Sequence, residues 1–231
     1  MKKRTSFPLS LSPREIGFGW LYLAAEFLLI PNLIYLLGAS MGGFSDAFAN
    51  FLYYGTNALC CGLIFRSLLR QSLVQAGKHT RQLLGYAIAA FLLYQLCAVA
   101  MQQLLSWLAP DFSNVNDAAI GTMVARHPLL MALGTVILVP IGEECLFRGL
   151  LFVPLYRKNR WAGYGISTLA FCAVHVVGYI GIYPPRTLLL CFLQYIPAGL
   201  LLGWACAGSG SLFASMLVHG ACNAVSFLTL R

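Results

Sequence analysis

Charge is what this sequence lacks. Charged side chains make up 10% of its 231 residues, against about 25% in an ordinary soluble domain. Acids are the scarcer sign, seven Asp and Glu against fifteen Lys and Arg. A water-soluble domain of ordinary surface is thereby excluded. With 59% hydrophobic residues and a mean hydropathy of +0.77, the chain reads as one integral membrane domain. Also missing are a C-x-x-C pair, an internal repeat, a low-complexity run and a continuous basic face. Without C-x-x-C, the eight cysteines, all within or at the ends of apolar segments, read as small buried residues. Without a basic face, the net charge of +8 does not point to nucleic acid. The lysines and arginines fall instead in short loops, where they set topology.

What is present is a series of seven apolar segments, roughly 17–38, 47–69, 83–108, 129–156, 161–182, 187–207 and 212–230. Each approaches the ~20 residues a membrane-spanning helix needs. The expected fold is therefore all-α, a polytopic transmembrane bundle of about seven spans. A cytoplasmic N-terminus puts Lys2, Lys3, Arg4, Arg14, Arg66, Arg70, Lys78, Arg81, Arg157, Lys158 and Arg160 inside, and Arg126, Arg186 and Arg231 outside, as the positive-inside rule asks. Met1 to Arg4 resembles the start of a signal peptide, but Arg14 and Glu15 interrupt it and the following apolar run is long, so a retained first helix is expected. Ala109–His127 is the longest outer polar stretch, a loop with room for a short interfacial helix. His79 and His127 lie in such connections and read as solvated.

Polar residues are scattered through the first three segments: Glu26, Asn32, Asn50, Asn57, Gln95, Gln102 and Gln103. Hydrogen bonding between helices, typically about 0.6 kcal/mol each, accounts for them. Glu26 stands apart, because a carboxylate at that depth needs a partner or a proton.

The stretch Val139 to Gly149, V-P-I-G-E-E-C-L-F-R-G, is different in kind. Glu143, Glu144 and Arg148 sit within an apparent span, each disfavoured there by roughly 2.5–3.5 kcal/mol, which marks a functional site. On a helix Glu144 and Arg148 are i and i+4 and can pair, while Glu143 points about 100° away. Glu143 is thus the free carboxylate, a general base, and Glu144 orients Arg148. Segment five carries His175. Segment seven adds His219 and Asn223, i and i+4 on one face. At about 1.5 Å per residue, all can reach a shared depth if segment seven begins deeper than its neighbours or tilts. A glutamate with a histidine can activate water, and a histidine with an asparagine can donate to a developing oxyanion. That chemistry is amide hydrolysis. A zinc version would take Glu143, His175 and His219 as ligands with water in the open position. Asn223 is a good donor but not a usual zinc ligand, which favours water activation without a tightly bound metal.

Glu143-Glu144-x-x-x-Arg148, then Phe171-x-x-x-His175, then His219-x-x-x-Asn223 resembles the CAAX-protease and bacteriocin-processing (CPBP, or Abi) intramembrane proteases. Pro197, Gly199, Gly203, Ser211 and Ser215 resemble that family's third block. The resemblance covers residues 128–231, and it implies an intramembrane endopeptidase whose core is the last four segments. Residues 1–127 would then pack around it. It implies that Glu143 and His175 activate water and that His219 and Asn223 hold the oxyanion, without fixing the cofactor. The expected substrate is a hydrophobic, lipidated or membrane-associated peptide met within membrane lipid, and the expected location a prokaryotic cell membrane. Two rivals carry the same residues: a non-catalytic scaffold or bacteriocin-immunity protein, and an ion- or proton-coupled transporter. A third, a Cys172 nucleophile beside His175 at i+3, lacks a neighbour to activate the thiol.

Overall fold

A computed structural model describes residues 7–230. The readings made on Lys2, Lys3, Arg4 and Arg231 lie outside the described residues. The protein is an all-α helical bundle: α1 (Pro13–Leu28), α2 (Ile30–Ser40), α3 (Asp46–Ile64), α4 (Arg66–Lys78), α5 (Thr80–Leu108), α6 (Val115–Arg126), α7 (Pro128–Lys158), α8 (Arg160–Val177), α9 (Pro185–Ser209) and α10 (Leu212–Leu230).

Four of these helices, α5, α7, α9 and α10, are each long and apolar enough to cross a membrane. The count is six if the bent pairs α1–α2 (46°) and α3–α4 (82°) each make one span. α8, the fifth expected segment, is not among them. Arg160 opens it, and Gly163, Tyr164, Gly165, Ser167 and Thr168 dilute its first half. It also ends at Val177 rather than near 182, before turns that lead into Pro184 and Pro185. The second expected segment likewise ends early. The chain turns at Phe65, and Glu15 explains how: its Oε1 accepts from the Leu68 amide at 2.8 Å, meeting a donor of the first turn of α4. The same carboxylate closes a capping box with Ser12 at the start of α1. The stretch 109–127 holds more helix than a loop reading suggests, since Asn114 caps the twelve residues of α6.

α7 is the central element. Every residue from Glu144 to Val153 is buried. Leu146, Leu150 and Val153 pack with Phe65, Leu68 and Leu212 on one side, and Phe147 packs with Ala90, Phe171, Leu202 and Val218 on the other. α3, α8 and α10 lie against it, while α9 fills the space between α5, α8 and α10. Small residues set these approaches. A Cβ on Gly199 would stand 2.6 Å from Thr168 Cγ2, and one on Gly142 would stand 2.7 Å from the side-chain amide of Asn57. Six cysteines are buried as expected, but Cys97 is exposed on the surface of α5 and Cys60 is half-buried. Neither belongs to the inward face of its helix.

Candidate active site

α7 is not a regular α-helix. Leu133–Leu138 and Glu144–Phe152 are π-helical, and each gives way to α-helix at a Val-Pro pair, Val139-Pro140 and Val153-Pro154. A proline offers no amide to the ladder, so the wider register is absorbed just before it. The five α-helical residues left between the two stretches end on Glu143, the junction with the second.

Glu144 and Arg148 are fully buried and joined at 3.0 Å through Oε1 and Nη1. Arg148 also donates Nη2 to the Gly199 carbonyl at 3.2 Å, and its guanidinium lies 4.5 Å from the Phe171 ring centroid. It is held by α9 and α8 as well as by its own helix. The sequence reading gave Glu144 one partner. The same oxygen has a second, His219 Nδ1 at 2.9 Å. With Nδ1–H donated there, the other ring nitrogen of His219 is turned out, and Nε2 lies 3.9 Å from Glu143 Oε2. Glu143 is the less buried carboxylate, its side chain 19% exposed, and its Oε2 has no hydrogen-bond partner among the described residues.

His175 is positioned by its own helix, Nδ1 lying 2.8 Å from the Phe171 carbonyl, so Nε2 is the nitrogen without a partner among the described residues. Its ring stacks on Tyr195, centroids 4.1 Å apart. Tyr195 is fixed in turn from α6, accepting from Asn116 Nδ2 at 3.1 Å and donating to Asp117 Oδ1 at 3.4 Å. Asn223 donates to the Thr135 carbonyl at 2.8 Å, within the first π-helical stretch of α7. One of its two N–H groups remains for another acceptor. Segment seven starts within the protein: Ser211 and Leu212 are fully buried. The Leu212 amide donates to Ser72 Oγ at 2.7 Å, so α10 begins inside the protein under a cap from α4.

Glu143, His175, His219 and Asn223 all line one cavity of about 280 Å³. Glu144 and Arg148 stand behind its wall. Other lining residues were not assigned to the site by the sequence reading, Glu26 among them although it was set apart there. Glu26, 5% exposed, accepts at Oε1 from Asn57 Nδ2 at 2.6 Å and from Tyr53 at 3.2 Å. Asn114, Asn116 and Asp117 of α6, with Gln194 and Tyr195 of α9, make another polar part of the lining. The available signals were Glu26 itself, a carboxylate within an apolar segment, and Gly142 next to Glu143, where the missing side chain leaves room for the amide of Asn57.

The zinc alternative requires Glu143, His175 and His219 to close on one point. Among the described residues no three His, Cys, Asp or Glu side chains do so, and His219 Nδ1 is already engaged by Glu144. The set as folded does not fit a three-ligand site, and no step below passes through a metal.

Residues 125–225 match the family described as type II CAAX prenyl endopeptidase, Rce1-like. All six of the motif residues fall within that match, and the likeness to CAAX proteases read from the motifs is borne out. Over that stretch the chain is similar to a family of CAAX-type membrane endopeptidases. No curated protein and no solved structure matches the chain.

Proposed function

We propose, taking residues 125–225 as Rce1-like, that this protein hydrolyses peptide bonds within or at the membrane by carboxylate-activated water. The observation that carries the reading is Glu143 on the wall of a cavity it shares with His175, its Oε2 without a hydrogen-bond partner among the described residues and 3.9 Å from His219 Nε2. Water held between Glu143 and His175 gives a proton to the Glu143 carboxylate as its oxygen bonds to the scissile carbonyl carbon. The carbonyl electron pair moves onto oxygen. Asn223 Nδ2–H and, when protonated at Nε2, His219 donate to that oxyanion. On collapse the C–N bond breaks and the proton held by Glu143 passes to the departing amine. Glu144 acts through His219, fixing its tautomer and ring, while Arg148 fixes Glu144.

The substrate class that fits is a hydrophobic or lipidated peptide in contact with membrane lipid. The N-terminus belongs in the cytoplasm of a prokaryotic cell. Supporting this, Arg157 donates to the carbonyls of Phe7 and Leu9 at 3.0 Å, and Gln71 Nε2 to that of Ser10 at 3.0 Å. These bonds gather the chain start, α4 and the α7–α8 link, with their basic residues, at one end of the bundle.

The test is peptide cleavage by the full-length protein in liposomes. Glu143→Gln is expected to lower kcat by about 10²–10⁴, and Asn223→Ala by about 10²–10³ with KM little changed. Full activity in a folded Glu143→Gln protein sinks the proposal, as does ion flux without cleavage. Loss of activity on chelation, restored by zinc, would overturn the metal-free mechanism.

A further inference from the structure

Acidic side chains outnumber fixed cations in the cavity. Its described lining carries three carboxyl groups, Glu26, Asp117 and Glu143, and neither lysine nor arginine. Arg148 stands outside that lining, engaged by Glu144 and the Gly199 carbonyl. Glu26 gives an independent sign that a donor is received here. It is 95% buried, Asn57 and Tyr53 hold its Oε1, and its Oε2 has no donor among the described residues. A buried acceptor left unmet carries the cost of its lost hydration, so a bound N–H or ammonium stabilises that position. Asp117 enters from α6, and its one side-chain donor, the Tyr195 hydroxyl, is distant at 3.4 Å. Both carboxyls lie outside the stretch that matches the family. At about 280 Å³, the cavity falls just below the roughly 300–1,000 Å³ of small-molecule sites. It holds the residues flanking one bond, and a lipid tail would have to lie outside it.

We infer, building on the endopeptidase reading, that the cavity receives a cationic stretch of peptide, a lysine, an arginine or a free amino terminus beside the bond to be cut, with Glu26 Oε2 and Asp117 as its acceptors. A peptide carrying a free C-terminal carboxylate close to that bond brings a fourth carboxyl group into a lining that already holds three and offers it no lysine or arginine, and is disfavoured there. The protein is then a poor processor of tails ending just past the cleavage site and a better one of internal bonds next to basic residues.

The full-length protein in liposomes is offered hydrophobic peptides identical except for Lys, Gln or Glu beside the cleaved bond. The same peptides, fluorescently labelled, are titrated onto the Glu143→Gln protein to read binding without turnover. The Lys peptide is expected to exceed the Glu peptide by roughly ten-fold or more in both assays, through KM rather than kcat. Glu26→Gln combined with Asp117→Asn should bring the ratio toward one, and the single variant Asp117→Asn should move it part of the way if the double variant does not fold. Equal handling of the Lys and Glu peptides, or a ratio untouched by the substitutions in folded protein, overturns the inference. Preferential binding of the Lys peptide with no cleavage by the unsubstituted protein refutes the endopeptidase reading and leaves the cationic site standing.

Discussion

At the scale of single residues, the site turns on how two adjacent carboxylates are given different neighbours. Glu144 Oε1 receives both Arg148 and His219, while Glu143 is left open. Replacing one member of a fully buried ion pair leaves the other charge uncompensated, so Arg148→Met should cost about 3–5 kcal/mol. Adding Glu144→Gln should recover part of that loss in detergent unfolding curves. A double variant less stable than the single one would show that the pair is not coupled as drawn. Asp117 offers a pH test. Burial pushes its carboxyl above the ordinary carboxylate value, so the folded state favours its protonated form. The stability this gives is present at low pH and fades as pH rises past the ordinary carboxylate value toward the raised one. Asp117→Asn should therefore gain relative thermal stability as pH is raised from below the ordinary carboxylate value to above it, and an opposite slope would contradict the assignment. The Glu144–Arg148 pair was legible because i, i+4 spacing is local. The His219–Glu144 bond was not, since 75 positions separate the two, and Glu26, though set apart as a carboxylate in need of a partner or a proton, could not be placed in the site because the cavity it shares with Glu143 exists only in three dimensions.

Elements show the same division. Apolar runs revealed where helices lie, because lipid leaves the backbone few alternatives to a helix. Their breaks were hidden. Phe65 falls within the second expected segment, 47–69, and the 82° turn there depends on Glu15, fifty-three positions from Leu68. The π-helical register of α7 was hidden too, although the two Val-Pro pairs mark where it ends. α10 depends on a cap from another helix: Ser72 Oγ accepts from the Leu212 amide at 2.7 Å and shares a 2.8 Å hydrogen bond with Ser211 Oγ. Ser72→Ala removes the cap and leaves a buried amide without an acceptor. It should destabilise the protein by about 1–3 kcal/mol and lower cleavage through the placement of His219, two turns further along α10. Unchanged unfolding would mean that α10 is positioned from its other end.

On the scale of the whole molecule, a division at residue 127 separates N-terminal helices from a protease core, yet the cavity wall does not respect it. Glu26, Tyr53, Tyr54 and Asn57 come from before the boundary, as do Asn114, Asn116 and Asp117, while Glu143, His175, His219 and Asn223 come from after it. α3 packs along α7 with Asn57 resting against Gly142. A fragment of residues 128–231 therefore keeps every motif residue and loses one side of the cavity, along with the Ser72 cap. It should be inactive and should not run as a single species in detergent. Supplying residues 1–127 as a separate chain in the same cell should restore cleavage, because the cut falls at an exposed connection, Arg126 and His127 both facing outward. Each fragment would keep its own helices, and the interface between them is the one the intact chain already buries. Wild-type activity from the 128–231 fragment alone would show that the N-terminal wall is dispensable and that Glu26 has no part in substrate binding.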